Sequence, residues 1–286
     1  LAELSPAEER HHLELAVAGP RPPVDALVRL SLLEEFAGQQ ALALQYMDQA
    51  LHRAKRYKVF VSAASQAARL DLEDRVLEIA AQGLPYAPSA ADDLFLLLQP
   101  LARAQLSLAR ARPEQRIDYL RFLIGQKDYL RALEYQSALP DAEAVDRLRR
   151  ELAERLILLR EWDAVDRLYP PGAEGVQNGG FTAMPTSLAF DWRLAQGNWL
   201  HWNWRAGLLS LEVEALPQER EVLSQYVRLP SGQTIALHIE GSGDVDEFRW
   251  RVESLAPHWF RISCVAKAGA SKRVDLRQVR GGPSGE

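Results

Sequence analysis

The spacing of apolar residues changes once along this chain, and that change constrains the fold more than any other feature. Over residues 1–171 apolar side chains recur at helical intervals, as in Leu27, Leu30 and Phe36, then Leu42, Tyr46 and Ala50. Steps of three and four place side chains on one helix face. Ala, Leu, Arg, Glu and Gln dominate that half, and all are good helix formers. From residue 176 onward the apolar residues alternate: Leu209, Leu211 and Val213; Ile235, Leu237 and Ile239; Phe248, Trp250 and Val252; Phe260, Ile262 and Cys264. Period two sends successive side chains to opposite faces, so these segments predict antiparallel strands with one buried face. A length of 286 residues gives room for two domains. The sequence therefore predicts an all-α domain over 1–171 and an all-β sandwich over 176–286. Pro170-Pro171-Gly172 marks the break between them.

Composition narrows the function classes. Hydrophobic residues make up 47% and charged residues 26%, enough apolar surface to build a core. Lys and Arg total 34 against 39 Asp and Glu, for a net charge of −5. A nucleic-acid binder is expected to carry a basic excess, so no nucleic-acid partner is expected. A single cysteine, Cys264, excludes an internal disulfide framework and a cysteine-cluster zinc site. No segment approaches the ~20 apolar residues of a membrane-spanning helix. The most apolar stretch, Leu94 to Leu98, is cut short by Gln99 and Pro100. The histidines show no zinc-binding spacing, and no nucleophile elbow, phosphate loop or dinucleotide fingerprint is present. No metal, cofactor or catalytic residue is expected on these grounds.

The helical half carries an internal repeat. Leu27, Leu30, Gly38, Ala43, Met47 and Ala50 form one unit, and Val76, Ala80 and Gly83 repeat its small positions 33 residues on, with Pro88 closing the second unit. Lys127-Asp128-Tyr129 to Ala132 and Glu161-Trp162-Asp163 to Val165 form two further fragments, again 33 residues apart. Pairs of helices at about 34-residue intervals are the tetratricopeptide pattern. Such arrays stack into solenoids with an inner groove that binds a protein partner. The groove positions of the first unit are Asp25, Val28, Leu32 and Glu35, which make no basic clamp for a terminal carboxylate. They serve equally well as contacts between helices.

Asn178-Gly179-Gly180-Phe181 opens the second half, followed by Phe190-Asp191-Trp192-Arg193-Leu194, Gly207 to Leu211, and Leu223 through Pro230-Ser231-Gly232. These segments resemble galactose-binding-like jelly-roll sandwiches of carbohydrate-binding modules. With Phe248-Arg249-Trp250-Arg251-Val252 added, the chain is similar to bacterial tetratricopeptide-repeat proteins with a C-terminal sandwich, found with cell-envelope polysaccharide systems. The resemblance implies a non-enzymatic scaffold for exopolysaccharide assembly or export. It also implies a location in the bacterial cell envelope, periplasmic or anchored through a segment preceding Leu1. The chain departs from that pattern at Val274-Asp275-Leu276-Arg277, where such sandwiches often carry an acidic strand near calcium.

Six of the seven tryptophans lie beyond residue 190. Indole rings offer flat platforms for sugar C–H faces, with an N–H at the edge. Trp199, Trp202, Trp204 and Arg205 form the densest cluster, and Trp259 with Arg261 falls on an outward strand face, so these six are the candidate ligand residues. Arg249 and Arg251 share that expected outward face, while Trp192 and Trp250 belong with the core. Two functions fit this pattern: a scaffold whose sandwich binds carbohydrate, and a pure protein-interaction scaffold with its tryptophans buried. An enzyme acting on glycans requires two carboxylates in one cleft, for which Asp191 and Glu212 are the nearest candidates.

Overall fold

A computed structural model describes residues 5–87, 91–140, 143–168, 175–229 and 235–283. Pro88, Pro170-Pro171-Gly172 and Pro230-Ser231-Gly232 lie outside the described residues, as does the side chain of Ile235. The helical part precedes two antiparallel sheets. Among the described residues, no helix is long and apolar enough to cross a membrane. The chain packs as two compact units, Leu1–Leu139 and Pro140–Glu286.

The first unit opens with α1 (Pro6–Val17), started by a reciprocal cap between Ser5 and Glu8. Helical hairpins follow: α2 (Val24–Phe36) with α3 (Gln40–Arg53), then α4 (Tyr57–Arg69) with α5 (Glu73–Gly83). Their corresponding helices begin 33 residues apart. The short α6 (Asp92–Leu98) and α7 (Ala104–Leu108) interrupt the series, and Pro100 falls just past the end of α6. α8 (Pro113–Gly125) and α9 (Tyr129–Gln136) resume it. Small residues line the seams. Ala43, Ala50, Ala63, Ala64, Ala67 and Ala80 are all buried, which lets helix backbones approach closely. Gly83 is the extreme case, because a Cβ there would sit 2.5 Å from Cβ of Phe60. Phe36 and Leu42, expected on the core face from their spacing, are instead exposed, Phe36 to 83%. Ala43 and Met47 take that face because the hairpin turn at Gly38 resets the helical phase.

Polar groups tie helices together both within and between hairpins. Buried Ser31 donates to Ala43 O at 2.7 Å and meets the Gln66 amide, while Gln115 donates to Leu84 O at 2.6 Å. Asp25 pairs with Arg56, and Glu35 with Arg69 at 2.7 Å. The acidic groove positions Asp25 and Glu35 of α2 therefore face arginines at the two ends of α4, as helix-packing contacts.

The second unit begins with another hairpin, α10 (Glu143–Leu159) and α11 (Trp162–Leu168). The sandwich follows. One sheet has the order β1 (Arg193–Leu194), β4 (Arg220–Arg228), β7 (Trp259–Ala266), β6 (Phe248–Ala256). The other has the order β2 (Leu200–Arg205), β3 (Leu208–Val213), β8 (Lys272–Pro283), β5 (Ile235–Gly243). Every pairing is antiparallel. Leu209, Leu211, Val213, Leu223, Phe248, Cys264, Val274 and Leu276 meet in the core with Phe181 and Trp192. Trp250 packs against them, edge-on to Trp192. Burial pushes the Cys264 thiol far above its usual range, which fits a packing residue rather than a nucleophile.

The opposite face of the first sheet is covered by α10 and α11. Arg193, Tyr226, Arg228, Trp259 and Arg261 lie on that face, because their strand partners alternate with the core residues Leu223 and Cys264. Glu154 of α10 grips Arg193 with both oxygens, Nη1 at 2.6 Å, and also accepts from Ala189 N at 3.0 Å. Trp162 of α11 stacks on Trp259 at 5.5 Å, and Asp166 pairs with Arg228 at 3.2 Å. A helix layer thus stands where the alternation alone predicted a solvated face.

Candidate functional site

A cavity of about 300 Å³ opens within the second unit, between α10, the loop 175–192 and the covered sheet face. That volume sits at the small end of the roughly 300–1,000 Å³ typical of ligand pockets. Phe190, Tyr226 and Trp259 supply its aromatic walls, and Arg150 and Arg228 its cations. Met184 stands in the same lining with 54% of its surface exposed, a flexible side chain suited to a mouth.

The loop that carries much of this lining is built from unusual backbone. Asn178, Phe181, Ser187 and Ala189 all have positive φ, between 46° and 58°. Non-glycine residues hold that conformation only when surrounding contacts enforce it. Asn178 does so through its side chain, donating to Ala183 O at 2.8 Å and accepting from Ala183 N at 3.1 Å. Asp191 accepts from Thr186 N at 2.8 Å, Thr186 Oγ1 at 2.9 Å and Trp192 N at 2.7 Å, with Asn178 Nδ2 at 3.4 Å. The buried Trp192 indole closes the loop by donating to Asn178 O at 3.2 Å. Gly179 is required beneath it, since a Cβ there would lie 2.1 Å from Val279 O.

Asp191 therefore organises a loop. Glu212 is exposed on β3, between core residues Leu211 and Val213, and so faces away from the sandwich interior on the other sheet. The two carboxylates considered for glycan hydrolysis do not share a cleft.

The six candidate ligand residues separate. Trp259 is 2% exposed, held between Trp162 on one side and Phe190 at 5.2 Å. With both neighbours stacked, the ring offers no open platform for a sugar, although it lines the cavity. Arg261 pairs with Glu221 at 2.6 Å beside Tyr226 on the covered face. Trp204 packs against the sandwich core and donates its N–H to Phe181 O at 2.8 Å. Trp199 also packs there, with the Arg220 guanidinium 5.3 Å from its ring. Trp202 is 41% exposed and Arg205 is exposed on the edge strand β2. Trp202 is thus the one open indole platform among the four tryptophans considered. Arg249 and Arg251 are exposed and share Glu219.

Sequence reasoning missed Arg150, Tyr226, Phe190 and Asn178 as cavity residues. The available signals were the i, i+4 pair Arg150 and Glu154, which puts both on one helix face, and the dense polar-aromatic run 178–192. No family model matches this chain, and no curated protein matches it.

Proposed function

We propose that the chain is a non-enzymatic binding module. In this reading the helical hairpins are of tetratricopeptide type and present a surface to a protein partner. The sandwich is galactose-binding-like and recognises carbohydrate. The setting is bacterial exopolysaccharide or envelope polysaccharide assembly and export. One observation carries the ligand side of the reading: a ring-sized cavity walled by Phe190, Tyr226 and Trp259, with guanidinium and hydroxyl groups in the same lining. Aromatic surface with a few placed polar groups is the usual composition of a small-ligand site. The exposed indole of Trp202 is a second, shallower contact for a polysaccharide chain.

A glycan panel read out by calorimetry on the whole chain tests this. Binding weakened by Tyr226→Ala or Trp202→Ala supports the reading. Silence across neutral and acidic glycans removes it and leaves the alternative, a pure protein-interaction scaffold. Trp204→Ala is a poor test, because its indole fills core and any loss of binding would follow unfolding.

A further inference from the structure

The cavity is uneven in the polar groups it leaves without a partner. Its acceptors are engaged: the Asp191 carboxylate and the Asn178 carbonyl both serve the loop. Three donors are not engaged. Neither Arg150 nor the Tyr226 hydroxyl makes an ion pair or hydrogen bond among the described residues. The Trp259 indole N–H is buried with no acceptor among them. On the same helix Arg147 pairs with Glu151 at 3.5 Å and Arg149 with Asp146 at 3.1 Å, while Arg155, like Arg150, has no such pair among the described residues; of these four arginines only Arg150 lines the cavity. Arg228 in the same lining is answered by Asp166. The lining thus holds, beside aromatic walls, a cation that pairs with no carboxylate among the described residues.

We infer that the cavity takes a single six-membered ring bearing a carboxylate, an inference that rests on the binding function proposed for the sandwich. The guanidinium of Arg150 matches the planar carboxylate with paired N–H groups. Phe190 and Tyr226 enclose the ring, and the Tyr226 hydroxyl and Trp259 N–H meet its remaining oxygens. The volume admits one ring, free or at the end of a chain. Two sources share this chemistry, a hexuronic acid and an aromatic carboxylate.

Titration calorimetry on the whole chain with galacturonate, glucuronate, benzoate and galactose separates them. At least one carboxylate is expected to bind about tenfold or more tighter than galactose, because a charge-assisted bond is lost in the neutral ring. Arg150→Ala should weaken that binding about tenfold. Arg147→Ala, on the same helix outside the cavity, should not. Trp259→Phe keeps the stack, and weaker binding there assigns the N–H a role. Uronate binding without benzoate assigns the sugar acid, and the reverse assigns the aromatic acid. Galactose binding as tightly as galacturonate, unchanged by Arg150→Ala, overturns the inference and leaves the binding function standing. Silence from all four ligands overturns the inference. Silence across the wider glycan panel as well overturns the binding function beneath it. Arg150 is exposed, so an unchanged melting curve will show that its variant still folds.

Discussion

Three arginine–carboxylate pairs between hairpins of the first unit and one pair at the helix–sheet seam of the second differ sharply in burial. In the first unit the pairs Arg56–Asp25, Arg75–Asp48 and Arg103–Asp74 link consecutive hairpins at exposed positions. Water screens such pairs, and each contributes at most about 1 kcal/mol. The seams there depend on alanines and on Gly83. In the second unit Glu154 and Arg193 keep only 16% and 18% of their side-chain surface. Tyr226 lies 4.4 Å beneath the same guanidinium, and Ala189 donates to the same carboxylate. A repeat tolerates weak, replaceable ties because every hairpin offers several. One helix hairpin on one sheet face needs ties that fix a single arrangement.

This contrast can be broken at its strongest point first. A chain reduced to 176–286 bares Tyr226, Trp259 and Arg193, and is expected to lose cooperative thermal unfolding. Residues 140–286 should keep it. Cooperative melting of the shorter piece would show that the helix layer is dispensable. Next, Glu154→Ala leaves Arg193 buried without its carboxylate and should cost about 3 kcal/mol in denaturant unfolding. A loss under about 1 kcal/mol would place this pair with the surface pairs of the first unit.

In the first unit, Gly83→Ala should cost about 2 kcal/mol, since its methyl group meets Phe60 in a packed seam. A neutral result there would mean the seam yields. Glu35 offers a smaller and pH-dependent effect. Its hydrogen bond from Arg69 holds the carboxyl below its usual range. A lowered folded value gives stability that is full above the unfolded carboxylate range and lost as pH falls through the folded value. Glu35→Gln should therefore cost about 1 kcal/mol at neutral pH, discounted for the half-exposed Arg69. The difference should begin to shrink as pH falls through the ordinary carboxylate range and vanish only below the lowered folded value. The smallest effect is a gain. Lys127 has a φ of 62°, and Lys127→Gly should stabilise by about 0.5 kcal/mol as relief of left-handed strain outweighs added chain entropy.

Lys127 also shows how far the sequence could be read. The turns of four hairpins close through Gly38, Asp71, Lys127 and Arg160, all at positive φ. Only the first is glycine, so a search for turn glycines finds one of four, while the 33-residue offsets 38 to 71 and 127 to 160 remain visible in the apolar pattern. The strands β3, β5, β6 and β7 were legible from alternation because one face packs on the sandwich core, although Val252 on β6, expected on that buried face, is 44% exposed. The short β1 was not, because two residues carry no period. Among the candidate ligand residues, placement was not legible. Trp202 and Trp204 share a strand face, yet one is open and the other bonded into the core, which depends on what lies across from each.

By itself the sequence determined the order of helices and strands, the break between them, the hairpin period and the core tryptophans Trp192 and Trp250. Each follows from local periodicity, which acts over a few residues. Only the tertiary structure decided that α10 and α11, built like the repeat hairpins before them, pack with the sandwich. That choice joins Glu154 to Arg193, Trp162 to Trp259 and Arg150 to the cavity, contacts between residues up to about a hundred positions apart. A pattern with period two records that a strand has two faces. What covers the second face depends on which distant surface buries the most apolar area and answers the charges there, and no local spacing encodes that.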